Sequence, residues 1–108
     1  MRYDNSPAAV RRRADRVLAC LGAGRGRAII GRDLRTVTGL PDHELRKTLE
    51  HIRRGGQVVI ADDAGYYLPE TLPELRTYIQ QEEHRSTNHQ RTLESARQLA
   101  EQWEGDGM

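Results

Sequence analysis

Apolar residues in the first part of the chain recur at helical spacing. Between residues 10 and 21 they lie three or four positions apart, which is the pattern of one face of an α-helix. These residues are Val10, Ala14, Val17, Leu18 and Leu21. Ser6 can cap this helix, and Pro7 suits its first position because proline lacks only an amide that is unpaired there. The pattern predicts a first helix that begins at Pro7 and stops at Gly22.

A second, shorter helix is predicted from Arg32 to Thr38. Leu34 and Val37 are the apolar residues of this segment, and we expect both to face the core. Gly39 follows at once, and glycine is the residue that most readily takes the left-handed conformation that ends a helix. The chain is therefore expected to turn sharply at Gly39.

A third helix is predicted to begin near Pro41 or Asp42 and to end at Gly55. Its inward residues, spaced i, i+4 and i+7, are Leu45, Leu49 and Ile52. At about 100° per residue, the opposite face carries long polar side chains. These are His43, Lys47, Glu50 and Arg54, flanked by Arg46 and His51.

Short apolar runs on either side of these helices predict a small three-stranded sheet. Ala28–Ile30 is expected to form its first strand, and Gln57–Ala61 its second. Residues 62–65, Asp-Asp-Ala-Gly, have the composition of a turn, and Tyr66–Leu68 is expected to return as the third strand. Helices followed by a small sheet define an α+β fold.

One long helix is predicted from residue 71 onward. Thr71 and Glu74 have the Thr-x-x-Glu spacing of a capping box, and neither proline nor glycine interrupts residues 74–103. About 32 residues at 1.5 Å each make a rod of about 48 Å, which a body of this size cannot cover. The rod is therefore expected to pair with another helix.

The stripe along this rod is apolar at both ends and polar in the middle. Its positions are Leu72, Leu75, Ile79, Glu82, Ser86, His89, Leu93, Ala96, Ala100 and Trp103, and all except Ser86 are assigned to a homodimer contact. A parallel dimer sets Glu82 against its own copy, whereas an antiparallel dimer brings it toward the partner's His89, so the antiparallel form is favoured. Alternatively, the poor helix formers at residues 86–88 break the rod into a hairpin that folds back on its own domain.

Basic residues are concentrated in the first half of the chain. The net charge of +1 conceals 13 Arg/Lys against 6 Asp/Glu in residues 1–56, and 4 against 10 in residues 57–108. Because phosphates attract Arg and Lys, this asymmetry favours nucleic acid as a partner of the first half. The acidic half is expected to face away from it or to meet another partner.

Residue content argues against several other kinds of site. Cys20 is the only cysteine, which excludes an intramolecular disulfide and a Cys-rich zinc site. The four histidines are not spaced to bind one metal ion, and no nucleophile, histidine and carboxylate are grouped as in an enzyme. We expect no catalytic residues, metal, cofactor or small-molecule substrate. No apolar run has membrane-spanning length, which favours a cytoplasmic protein.

The segment from Ile29 to Leu68 resembles the winged helix-turn-helix module at the start of biotin-operon repressors and many bacterial sugar-operon regulators. The residues that carry the resemblance are Gly31–Leu34, Gly39–Leu40, Leu45–Ile52, Gly55–Gly56, Val58–Ile60 and Gly65–Leu68. Together with a long C-terminal helix, the pattern is also similar to small winged-helix proteins of phages and mobile elements. The resemblance implies three helices and a small β-wing, followed by that long helix.

The resemblance also implies binding of double-stranded DNA, with the third helix in the major groove. It assigns base reading to His43, Arg46, Lys47 and Glu50, and backbone contact to Arg32, Arg35 and Arg54. Residues 1–70 are then the DNA-binding domain, residues 71–104 the dimerisation helix and residues 105–108 a tail. The implied role is that of a bacterial or phage transcriptional regulator or replication accessory factor.

Two features depart from the family pattern. Pro41 stands where a Ser or Thr cap is usual, and the wing tip carries Asp62 and Asp63, which a phosphate backbone repels. The wing is therefore expected to make little contact with DNA, or this copy of the fold binds something else. The alternative function is a protein-interaction adaptor, in which the acidic wing and C-terminal half contact a basic partner.

Overall fold

The computed structural model describes residues 5–84 and 90–106, and these ranges form an α+β fold of five α-helices and a two-stranded antiparallel sheet. The predicted α+β class is confirmed. The elements are α1 (Pro7–Cys20), a 3₁₀ turn (Arg25–Arg27), α2 (Gly31–Thr38), α3 (Asp42–Arg54), β1 (Ile60–Asp62), β2 (Gly65–Tyr67), α4 (Leu72–Glu83) and α5 (Gln90–Gly105). Within the described ranges, none of the helices is long and apolar enough to cross a membrane.

The first three helices form around one hydrophobic cluster, as their apolar spacing predicts. The Ser6 side chain accepts a hydrogen bond from the Ala9 amide at 3.3 Å and caps α1, which confirms the predicted start. The buried members of the cluster are Ala14, Val17, Leu21, Leu34, Leu40, Leu45, Leu49, Ile52 and Val59. Arg16 of α1 also donates to the Thr38 carbonyl oxygen at 3.0 Å, which ties α1 to the end of α2.

The turn between α2 and α3 depends on Gly39, which has the predicted left-handed conformation with φ of 71°. The prediction that Val37 faces the core is wrong, because its side chain is 57% exposed. Thr38 is buried in its place, and its hydroxyl donates to the Leu34 carbonyl oxygen at 2.6 Å. A threonine whose hydroxyl bonds within its own helix can enter a core at little cost, so the inward face includes a polar residue.

The sheet is smaller than the sequence predicts. In place of the predicted first strand, Ile29 forms a single bridge to Tyr66, through backbone hydrogen bonds of 3.0 and 2.8 Å. The chain leaves the sheet at Ile30 because that residue is the N-cap of α2, and its carbonyl oxygen accepts from the Leu34 amide. The predicted second strand is also shortened, since the Arg53 guanidinium donates to the Val59 carbonyl oxygen at 3.0 and 3.3 Å.

The β-hairpin, formed by β1 and β2, lies between two hydrophobic clusters. Successive side chains in extended backbone point to opposite sides. Val59 accordingly belongs to the cluster of α1–α3, while its neighbours Val58 and Ile60 belong to a second cluster. Tyr66 packs against the first cluster and Tyr67 is buried in the second. The two clusters are therefore joined through one stretch of backbone.

The C-terminal segment is not one long helix, which corrects the rod prediction. Helix α4 ends at Glu83, and α5 covers Gln90–Gly105; residues 85–89 lie outside the described residues. Ion pairs join Arg76 to Glu104 and Glu83 to Arg97, so the two helices run antiparallel as a helical hairpin. Folding back buries the apolar residues of α4 and α5 together within one chain. An extended rod within one chain would leave these apolar residues exposed to water.

Candidate nucleic-acid interface

Helix α3 presents one exposed polar face opposite its buried residues. This face, here called the α3 face, consists of His43, Arg46, Lys47, Glu50 and Arg54, all of which are exposed. Leu45, Leu49 and Ile52 are at most 4% exposed and fix the rotation of the helix about its axis. The sequence prediction of which α3 residues face outward is therefore confirmed.

The cations of the α3 face differ in their ion-pair partners. The Arg46 guanidinium lies 3.2 Å from the Asp42 carboxylate, and Arg54 forms an ion pair with Glu50 one turn earlier. Lys47 has no ion-pair partner among the described residues. Solvent-exposed ion pairs of this kind contribute about 0–1 kcal/mol, so an arriving phosphate can replace their carboxylates.

Asp42 connects α2 to the α3 face. As the first residue of α3 it accepts a hydrogen bond from Arg35 of α2 at 3.1 Å, in addition to its contact with Arg46. The two arginines line one open groove, about 520 Å³ in volume, whose opposite wall is the β-hairpin. The structure thus brings Arg35 and Arg46 together at the junction of α2, α3 and the β-hairpin.

Arg32 is not joined to that junction by any described contact. It is exposed on the first turn of α2, where its Nε atom lies 3.9 Å from the carboxylate of the neighbouring Asp33. None of the described contacts therefore fixes the Arg32 guanidinium relative to the α3 face. Of the three predicted backbone-contact residues, Arg35 and Arg54 are held by carboxylates on α3 and Arg32 by one on α2.

The acidic tip of the β-hairpin, Asp62 and Asp63, is paired with an arginine that the site prediction omitted. Arg25 donates from Nε to Asp62 at 3.2 Å and from Nη2 to Asp63 at 2.7 Å. The expected repulsion between this tip and a phosphate backbone is therefore reduced, because one cation already offsets part of its charge. Residues 25 and 63 are far apart in sequence, and no local pattern indicates that they meet.

The remaining contacts of the tip hold Asp62 more firmly than Asp63. Asp62 also accepts from the Ala64 amide at 2.8 Å and from the Tyr67 hydroxyl at 2.8 Å. Burial acts to raise the pKa of Asp62, but these hydrogen bonds and Arg25 outweigh it and lower the pKa below its usual value. Burial, followed by the hydrogen bond to Asp62, raises the pKa of Tyr67 to about 12. At neutral pH Asp62 is thus a carboxylate that accepts from a protonated tyrosine.

A second unpredicted network ties the loop of Arg25 to helix α4. One Glu74 oxygen accepts from the Arg25 amide at 3.0 Å and the other from the Glu70 amide at 2.9 Å. The predicted Thr71 cap is confirmed, since the Thr71 hydroxyl accepts from the Glu74 amide at 3.3 Å. The capping-box spacing indicated Glu74, but its reach to residue 25 depends on tertiary structure.

The residues assigned to a dimer contact belong to the helical hairpin. Of these, Leu72, Leu75, Glu82, Leu93, Ala96 and Ala100 are buried, Ile79 and Trp103 are partly buried, and His89 lies outside the described residues. The buried ones are covered by the same chain. Homodimerisation through this set stays a prediction, and it would require the helical hairpin to open and exchange helices between two copies.

The chemistry of the α3 face and its surroundings is that of hydrogen-bond donation to anions. Lysine provides a point charge and arginine a planar set of donors that fits phosphate or the guanine edge. In the described part of the chain, no three His, Cys, Asp or Glu side chains are grouped as a metal site. No protein-family model, curated protein or solved structure matches this chain.

Proposed function

We propose that this protein binds duplex DNA as a winged helix-turn-helix, with α3 as its recognition helix and the β-hairpin as its wing. The observation that carries the proposal is the α3 face. It places Arg46, Lys47 and Arg54 on the exposed side of a helix that follows the tight turn at Gly39. These residues also belong to the half of the chain with an excess of basic residues. The exposed face of the helix, the tight turn before it and the excess of basic residues thus all support binding to phosphate.

The dimensions of α3 suit a major groove. Its 13 residues span about 20 Å, and the groove of B-DNA, about 12 Å wide, admits an α-helix. Lys47 lies near the middle of the α3 face and has no ion pair to give up among the residues that the structure describes, so it is the best candidate to donate to guanine. Glu50 can accept from cytosine only when it releases Arg54. His43 and Arg46 reach the edges of the same face.

Phosphate contacts on either side would position α3. Arg54 lies at the C-terminal end of the α3 face, Arg35 lies beside the face on α2, and Arg32 extends the cationic surface along α2. Each of these three exchanges an exposed carboxylate partner for a phosphate oxygen, which makes the binding salt-dependent. A DNA-binding domain of this size fits a transcriptional regulator or a replication accessory factor of a bacterium or phage, acting in the cytoplasm. A homodimer would read two half-sites in this way.

The proposal is tested by fluorescence anisotropy of a labelled random-sequence duplex titrated at low and moderate salt. We expect binding that weakens steeply as salt rises, because counterions are released from the DNA. Lys47→Ala is expected to weaken binding and to reduce its salt dependence, because one cation is lost from the surface that meets the DNA. Arg76→Ala, which removes one exposed cation from α4, is the matched control and is expected to have little effect.

Two outcomes would contradict the proposal. Absence of binding at low salt would exclude a phosphate-contacting surface. Equal losses in Lys47→Ala and Arg76→Ala would show that binding follows total charge and does not use the α3 face. In the first case the protein-interaction adaptor becomes the leading function, and the partner to seek is a basic protein.

A further inference from the structure

Cations border the acidic tip of the β-hairpin on two sides. Asp62 and Asp63 line the groove that contains Arg35 and Arg46, and they also line a second groove, about 380 Å³ in volume, that contains Arg25. The tip is therefore a narrow ridge between the α3 face and Arg25. A duplex lying on the α3 face and the wing would bring its phosphates close to this ridge.

The two carboxylates of the ridge have different surroundings. The Asp62 side chain is 22% exposed and is held by the Ala64 amide, the Tyr67 hydroxyl and Arg25. The Asp63 side chain is 89% exposed, and Arg25 is its only ion-pair partner in the described ranges. The contact between Asp63 and Arg25 is thus open to solvent, whereas Asp62 is a fixed part of the turn.

Arg25 is arranged so that one of its two carboxylate acceptors can be exchanged for another acceptor. Its Nε atom donates to the fixed Asp62, and its Nη2 atom donates to the exposed Asp63. The Arg25 backbone amide is held in turn by Glu74, so the residue is anchored while its side chain remains 54% exposed. A phosphate oxygen offers Nη2 the same charge-assisted hydrogen bond that Asp63 offers.

We propose that Arg25 is a further phosphate-binding residue of this protein, oriented by Asp62 and paired with Asp63 in the absence of DNA. The proposal rests on the function proposed above. In the free protein Asp63 occupies Nη2. On a duplex, a backbone phosphate replaces Asp63 on Nη2, and Arg25, in the 3₁₀ turn beside the wing, then contributes its positive charge to the interface. Asp63 acts as an internal competitor, because any phosphate that binds Arg25 Nη2 must first displace it.

The test is a double-mutant cycle on Arg25 and Asp63, measured as affinity for a random-sequence duplex at low salt. Asp63→Asn is expected to tighten binding about two- to fivefold, which corresponds to the loss of one exposed ion pair. In the Arg25→Gln background the same change is expected to have a much smaller effect. Arg25→Lys keeps the charge and is expected to retain part of the gain.

Asp15→Asn controls for charge. It removes an exposed carboxylate from α1 and is expected to change affinity less than Asp63→Asn does. The proposal is overturned by equal gains in the presence and absence of Arg25, by equal gains from Asp63→Asn and Asp15→Asn, or by no gain. If neither the wild type nor any variant binds the duplex, the proposed function itself fails, and the role of Arg25 fails with it.

Discussion

Gly65, at the start of β2, permits the close approach of two backbone segments. Its φ is 124°, and a Cβ atom built there would lie 2.4 Å from the Ile29 carbonyl oxygen. Residues other than glycine rarely adopt this backbone conformation. The atoms that an added Cβ would meet also belong to the backbone, which cannot move aside. The bridge between Ile29 and Tyr66, which joins the β-hairpin to the start of α2, therefore depends on this glycine.

We expect Gly65→Ala to destabilise the protein by about 2–3 kcal/mol, since it combines a strained φ with a backbone clash. Urea denaturation followed by circular dichroism measures the change. Gly26→Ala is the matched control, because a Cβ atom at that position meets no atom within 4 Å. An equal and small effect of both substitutions would show that the close approach at Ile29 is not needed for stability.

Individual residues also show which features of the fold and the candidate site the sequence can predict and which it cannot. The outward positions of α3 were predictable, because Leu45, Leu49 and Ile52 fix its rotation through local spacing alone. The pairing of Arg25 with Asp63 was not, because it is set by how the loop and the β-hairpin pack in three dimensions. Val37 was misplaced for a related reason, since apolarity alone did not reveal that Thr38 satisfies its own hydroxyl within α2.

At the scale of elements, the start of α4 is joined to the rest of the protein by Glu74. The backbone amides of Arg25 and Glu70 donate to its carboxylate and hold the pKa of Glu74 below its ordinary value of 4.5. A carboxyl whose pKa is lowered by folding stabilises the folded state above its unfolded pKa. That stabilisation is lost as the pH falls through the folded pKa. Asp62, whose pKa is also lowered, adds to the same acid sensitivity.

We therefore expect thermal stability to fall as the pH is lowered below about 4.5. Glu74→Gln is expected to cost about 0.5–2 kcal/mol at neutral pH, because the two amides donate to different oxygens of Glu74 and the NH2 group that replaces one oxygen cannot accept. The variant is also expected to lose less stability on acidification than the wild type. Differential scanning calorimetry across this pH range makes the comparison, with the exposed Glu101→Gln as control. A parallel pH dependence of Glu74→Gln and wild type would contradict this role.

The helical hairpin shows why element length is harder to predict than element type. The sequence indicated uninterrupted helix through residues 74–103, and both α4 and α5 are helical. A helical hairpin competes with a continuous rod, and the outcome depends on where Leu75 and Ala96 find apolar contact. Local propensity near residues 86–88 allowed either outcome, and burial within one chain favours the hairpin.

At the scale of the whole molecule, charge and architecture divide in the same way. The basic half of the sequence contains α1, α2 and α3, whereas the acidic half contains the β-hairpin and the two helices of the helical hairpin. The α3 face lies in the basic half and the helical hairpin in the acidic half, which phosphates repel. This division favours one orientation of the protein on a duplex, with the α3 face toward it.

The central claim is that the α3 face contacts DNA, and amide NMR spectra recorded during titration with a short duplex test it most directly. We predict that the largest chemical-shift changes fall on α3 and on the acidic tip, and that α4 and α5 change little. Changes concentrated on the helical hairpin, or an unchanged spectrum at low salt, would contradict the account.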